Sequence, residues 1–155
     1  MKLKFLLMTL PFIGFSLSSF GQVATAYGTH EDAIREVLKE AYIDGVFNEG
    51  NLTNIQQGFA DEFKLFGLTP EGEIQVITKK DWLERVRQNQ REGRYPAKGS
   101  DFVRMEIKDI DVEQNTAMVK LNFYRGNKLE YIDFIGLYHC PSGWKIVSKT
   151  FTKVQ

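Results

Sequence analysis

From Phe102 to Val154 the chain alternates apolar and polar residues in four successive runs, Phe102–Val112, Thr116–Arg125, Lys128–Cys140 and Trp144–Val154, separated by short turn signals. Parallel pairing would need a crossover of about a dozen residues between runs, so this spacing predicts an antiparallel meander. One face of such a sheet is apolar and must be covered. The N-terminal half supplies the cover. A helix is expected from Thr29, with Asp32 placed for a weak capping box, and Ile34, Val37, Leu38, Ala41, Tyr42 and Gly45 fall on one helical face. It ends near Asn48-Glu49-Gly50, and Leu52, Ile55 and Phe59 suggest a second, shorter helix. Two short strands then flank Thr69-Pro70-Glu71-Gly72, and Thr78 with Asp81 opens a third helix carrying Trp82, Leu83 and Val86, stopped by Gly93. The expected fold is α+β, with helices against one face of a curved antiparallel sheet.

The segments AYIDGVFNEGN, FADEFKLFG, ITKKDWLERV and YIDFIGLYHCPSGWKIVSKTF together resemble the nuclear transport factor 2-like (SnoaL-like) superfamily. Within it they are most similar to the branch of exported bacterial proteins described as lumazine-binding. The likeness runs from Glu31 to Thr152 and implies a cone, cystatin-like in its α+β layout, whose sheet wraps the helices and leaves a cavity at the wide end. Superfamily members include isomerases, dehydratases, cyclases and non-catalytic binding modules, so the fold leaves function open.

The first residues have the layout of a secretory signal peptide: Lys2 and Lys4, an apolar run from Phe5 to Leu17 broken by Pro11, then Ser18, Ser19 and Gly21. Cleavage is expected between Gly21 and Gln22, which gives a signal peptide of residues 1–21, a linker of 22–28 and one domain of 29–155. With 20 basic and 20 acidic side chains the sequence lacks the basic excess of a nucleic-acid binder. One cysteine, Cys140, excludes an internal disulfide, and no cysteine follows the apolar run to carry a lipid. An exported protein, periplasmic or secreted and without membrane insertion after cleavage, is expected.

Turn chemistry sets the expected register. Pro141-Ser142-Gly143 suits a three-residue hairpin loop with Gly143 in the left-handed position, pairing Cys140 with Trp144, Tyr138 with Ile146, Gly136 with Ser148 and Phe134 with Thr150. Gly126-Asn127 suits a two-residue loop, pairing Leu121 with Ile132 and Val119 with Phe134. The inward face then carries Val119, Leu121, Phe123, Ile132, Phe134, Tyr138, Trp144 and Ile146, with Ser148 and Thr150. Asp133, Ile135, Leu137, Lys149 and Phe151 share the other face with Lys120, Asn122, Lys145 and Val147. A two- or four-residue loop would flip the last strand and mix Lys145 and Lys149 with Phe134 and Tyr138, a costly burial that favours the three-residue loop.

On this register no titratable acid or base points inward, and no catalytic residue is assigned. Tyr42 and Tyr138 could donate hydrogen bonds, but a phenol with pKa near 10 is a poor base. Asp61 or Glu62 at the rim is the remaining candidate for an acid. His30 and His139 form no ligand cluster, so neither a metal nor another cofactor is expected. Rings from separate elements suit a small apolar or aromatic ligand, with Tyr42, Phe59, Phe63, Trp82, Phe134 and Tyr138 as its expected contacts. The reading is a binding protein for a small, partly aromatic molecule; the alternatives are an isomerase or dehydratase using an inward carboxylate, or a homodimeric module with a vestigial cavity. Exposed Ile135, Leu137, Val147 and Phe151 would make the outer sheet face a homodimer contact.

Overall fold

The computed structural model describes residues 23–154; the expected signal peptide and its cleavage point lie outside them. Helix α1 (Val23–Val37) passes without a break into a π-helical stretch, Leu38–Asn48. Helix α2 (Leu52–Gly58), strands β1 (Phe59–Leu68) and β2 (Ile74–Thr78) and helix α3 (Lys79–Arg91) follow. The chain ends in β3 (Val103–Glu113), β4 (Thr116–Arg125), β5 (Lys128–Cys140) and β6 (Gly143–Lys153). All six strands form one sheet in the order β2-β1-β6-β5-β4-β3, the β1–β6 contact being parallel and the rest antiparallel. This is the α+β arrangement expected from the order of elements. The first helix begins at Val23 rather than Thr29, so the expected 22–28 linker is largely helical. The stretch from Val23 to Tyr27 holds no proline or glycine to stop it.

Local chemistry explains where the other helices start. Asn51 caps α2 by accepting from the Thr53 and Asn54 amides, and Thr78 with Asp81 forms the full capping box of α3. Ile34, Leu38, Ala41 and Tyr42 are buried as their spacing required. The helices touch closely at Gly58, where an added Cβ would lie 2.1 Å from that of Ala41. The π-helical stretch is tied to the sheet by the buried side chain of Asn48. Its amide donates to the Val103 carbonyl at 2.9 Å and its oxygen accepts from the Val103 amide at 2.8 Å, as a neighbouring strand would.

The two hairpins around β5 depart from the expected register, the first at a bulge in β5 and the second at its loop, where a bulge in β6 then restores it. Gly126-Asn127 does form the two-residue turn, with Arg125 opposite Lys128, but β5 then carries one extra residue, Glu130, between Leu129 and Tyr131. Leu121 therefore faces Asp133 and Val119 faces Ile135, one residue away from the expected pairs. The bulge is held on both sides. The Arg125 guanidinium meets the Glu130 carboxylate at 2.9 Å, and the Glu130 carbonyl accepts from the Val154 amide at 3.0 Å. A bulge shifts every later side chain of its strand to the opposite face.

At the last hairpin Cys140 pairs with Gly143, so the loop is Pro141-Ser142, and Tyr138 faces Lys145. An extra residue in β6, Val147, restores the expected pairs Gly136 with Ser148 and Phe134 with Thr150. Val119, Leu121, Phe123, Trp144 and Ile146 are inward and buried, as expected. Phe134 and Tyr138, expected in the cavity, stand on the outer face at 41% and 49% exposure. Asp133, Ile135, Leu137 and Lys149, expected outside, are buried. Of the residues expected to form a dimer contact, Ile135, Leu137 and Phe151 are therefore on the inner face, and the exposed apolar side chains of the outer face are Met118, Phe134 and Tyr138.

Candidate functional site

Three polar side chains meet in the interior. The Tyr42 hydroxyl donates to Asp133 Oδ2 at 2.6 Å and accepts from Lys149 Nζ at 2.6 Å. Lys149 Nζ also lies 2.9 Å from Asp133 Oδ1, a charge contact not aligned as a hydrogen bond, and Oδ1 has no other polar partner among the described residues. Asp133 is at 0% exposure and Lys149 at 5%. An ion pair so deep persists only because each charge neutralises the other. Burial, then the Asp133 carboxylate, pushes the Tyr42 phenol well above its usual value; burial pulls the Lys149 ammonium down while Asp133 opposes the shift.

Around this cluster lie rings. Trp82 stacks on Tyr42 at 5.9 Å between centroids and 10° between planes, and Phe47 meets Tyr42 edge-on at 5.4 Å. The Lys149 ammonium sits 5.0 Å from the Tyr42 ring centroid, 5.1 Å from that of Phe151 and 5.9 Å from that of Tyr131, within cation–π range. A cavity of about 210 Å³ opens here, with Trp82, Phe47, Tyr131 and Phe151 in its wall, Lys149 at its inner end and Arg85 and Arg125 at its rim. Asp133 and Tyr42 lie behind Lys149 and do not line it.

The expected ligand contacts divide into three groups. Trp82 lines the cavity. Tyr42, Phe59 and Phe63 are fully buried core; the two phenylalanine rings support Trp82 from behind, at 5.4 Å and 5.1 Å. Phe134 and Tyr138 are on the other side of the sheet. The rim acids are also excluded. Asp61 is exposed, its carboxyl held below the usual range by the hydrogen bond and charge of Lys79 at 2.8 Å, and Glu62 points to solvent. His30 accepts from Trp144 Nε1 at 3.3 Å and packs edge-on against His139, remote from the cavity wall.

Sequence reasoning missed Lys149, Arg85, Arg125, Tyr131 and Phe151 as cavity residues. For Lys149 and Phe151 a signal existed: alternation put them on one face with Asp133, Ile135 and Leu137, and that grouping holds. The side was wrong because Glu130 is inserted in β5, and nothing in the residue types around Glu130 marks a bulge.

A profile of the family described as "Putative lumazine-binding" matches residues 29–152, and the chain belongs to that family. No curated protein matches it. Among solved structures it is similar to a nuclear transport factor 2-like protein of unknown function from Shewanella baltica OS155, with TM-score 0.66, 19% identity and coverage of 83% of this chain and 97% of that one. A second such protein, from Silicibacter pomeroyi DSS-3, gives TM-score 0.66 at 17% identity, covering 83% and 98%. A cystatin-like domain of unknown function from Nostoc punctiforme PCC 73102 gives 0.53 at 17%, covering 82% and 78%. At these identities the likeness concerns the fold, which is the nuclear transport factor 2-like cone.

Proposed function

We propose that the protein binds a small, partly aromatic molecule in the cone cavity and does not turn it over. One observation carries this reading: among the described residues the cavity wall presents rings and cations, while the inward carboxylate, Asp133, is sealed behind Lys149 with Tyr42 on its free side. A general base must come within hydrogen-bond reach of the proton it removes, and Asp133 is already occupied. The family's description, lumazine-binding, names a ligand of the same chemical kind. Native mass spectrometry of the protein purified from its own cells tests the reading. A retained aromatic molecule, lost from a folded Lys149→Met variant, is expected; a protein that retains nothing and binds no aromatic probe would contradict it.

The position of Asp133 favours a second reading. An isomerase or dehydratase would use this carboxylate if Lys149 swung aside, and abolished turnover with retained affinity in folded Asp133→Asn would establish that. The reading also makes the protein exported, on the strength of the apolar run Phe5–Leu17 and its lysines, with a mature chain starting at Gln22. A homodimer through the outer face rests on exposed Met118, Phe134 and Tyr138, which adjoin across β4 and β5. A Phe134→Glu/Tyr138→Glu protein should then sediment as a folded monomer, whereas an unmodified protein monomeric at micromolar concentration would remove the dimer.

A further inference from the structure

The aromatic cavity does not open directly to bulk solvent on all sides. Val46, Phe47, Arg85 and Arg125 belong both to its lining and to a second, more polar hollow of about 450 Å³ that continues past Arg94, Tyr95 and Asp101. The way in therefore passes two guanidinium groups. Arg125 is fixed: Nε donates to Glu130 at 2.9 Å, an Nη donates to the Asp101 carbonyl at 3.4 Å, and the group lies 5.9 Å from the Phe47 centroid. Arg85, exposed on α3, has no ion-pair or hydrogen-bond partner among the described residues. Arg94 is already engaged by Glu92 at 2.6 Å.

Charge placement decides where an acidic group of a ligand could sit. At the inner end Lys149 is neutralised by Asp133, so an anion brought there would meet the Asp133 charge in a poorly screened interior. At the rim Arg85 has no direct counter-ion contact among the described residues, Asp81 acting on it only at longer range, and Arg125 keeps donors beyond those given to Glu130 and the Asp101 carbonyl. A guanidinium fork matches a planar carboxylate. The inner space, about 210 Å³, is below the roughly 300–1,000 Å³ of drug-sized sites, which limits the enclosed part to one ring or a fused pair.

We infer that the ligand is a small aromatic acid whose ring enters the Trp82–Phe151 chamber while its carboxylate remains at the rim on Arg85 and Arg125. This rests on the binding reading above and specifies its ligand class. Calorimetric titration with two matched pairs, benzoate against benzamide and 2-naphthoate against 2-naphthamide, tests it on the whole protein. In at least one pair the acid should bind about tenfold or more tightly than the amide, the scale of a charge-assisted hydrogen bond. Arg85→Gln should reduce that preference to about threefold or less, the acid losing more affinity than the amide; its exposed position keeps the fold out of the comparison. Arg94→Gln should keep the preference. Acid and amide binding equally well would overturn the inference and leave the cavity reading intact. A preference that survives in both Arg85→Gln and folded Arg125→Gln would overturn the rim assignment. If no probe binds up to its solubility limit, the cavity reading fails and this inference with it.

Discussion

On the inner face of β5 and β6, Asp133 and Lys149 are enclosed by aromatic rings, whereas on the outer face of the same two strands Phe134 and Tyr138 stand half in solvent. Taken singly, each of these residues is on the unfavourable side. Taken as whole faces, the placement is favourable: the inner set also contains Tyr131, Ile135, Leu137, Ile146 and Phe151, and its two charges cancel each other at 2.9 Å. Burial is thus decided for a strand as a unit, because alternation ties every second side chain together. A charged residue can be carried inside by its neighbours if a counter-charge is carried with it.

The most disruptive way to break this contrast is to remove one charge from the inner face. Asp133→Ala leaves the Lys149 ammonium buried without its counter-ion and should cost about 3 to 5 kcal/mol in urea unfolding. A cost below about 1 kcal/mol would be the behaviour of an exposed pair and would return Asp133 to the outer face.

Tyr42→Phe is a smaller perturbation, since it keeps the ring stacked on Trp82 and deletes only the hydroxyl between the two charges. Leaving Asp133 Oδ2 without its donor should cost about 1 to 3 kcal/mol. The same variant has a pH signature. Burial and Asp133 hold the folded phenol above its ordinary 10.0. Below that pH both folded and unfolded chains keep the proton; above it the unfolded chain ionises first, so stability falls as pH rises from about 10 toward the folded value. Lys149 acts in the opposite sense. Its folded pKa is held below the ordinary 10.5, so its contribution is complete above 10.5 and is lost as pH falls toward the folded value. The stability gap between the wild type and Tyr42→Phe should therefore narrow above about pH 10, because only the wild type carries the phenol. A gap that stays constant from about pH 9 to 11 would mean that Tyr42 is not held protonated by its site.

The outer face should give the smallest effect. Phe134→Ala should change the stability of the monomer, measured at a dilution that dissociates any dimer, by no more than about 1 kcal/mol, as for an exposed substitution, where an enclosed ring would cost about 3 to 5 kcal/mol. Probe affinity for the cavity should not change in this variant; a clear loss of affinity would favour the unbulged register.

These same residues mark how far the sequence could be read. Order and type of the elements followed from turn residues and periodicity: Thr78 and Asp81 start α3, and Thr116–Arg125 and Lys128–Cys140 begin and end where alternation placed them. Grouping was also legible, since Asp133, Ile135, Leu137, Lys149 and Phe151 do share a face. The side was not. It depends on a single extra residue at Glu130, which is held by a contact distant in sequence, the Val154 amide on the Glu130 carbonyl. The rim arginines were illegible for a related reason. Arg85 and Arg125 lie 40 positions apart and meet only when α3 is laid over the open end of the sheet.

Asp133 and Lys149 form one buried pair on the inner face, and a double-mutant cycle measures that directly. Asp133→Leu, Lys149→Met and the double variant would be unfolded in urea beside the wild type. Each single change should cost several times what the double change costs, because the double variant leaves no unpaired charge and refills the space with apolar atoms. A coupling energy of about 2 kcal/mol or more is predicted. Single effects that add to within about 0.5 kcal/mol would show that the two residues do not meet, and would contradict the inner-face site.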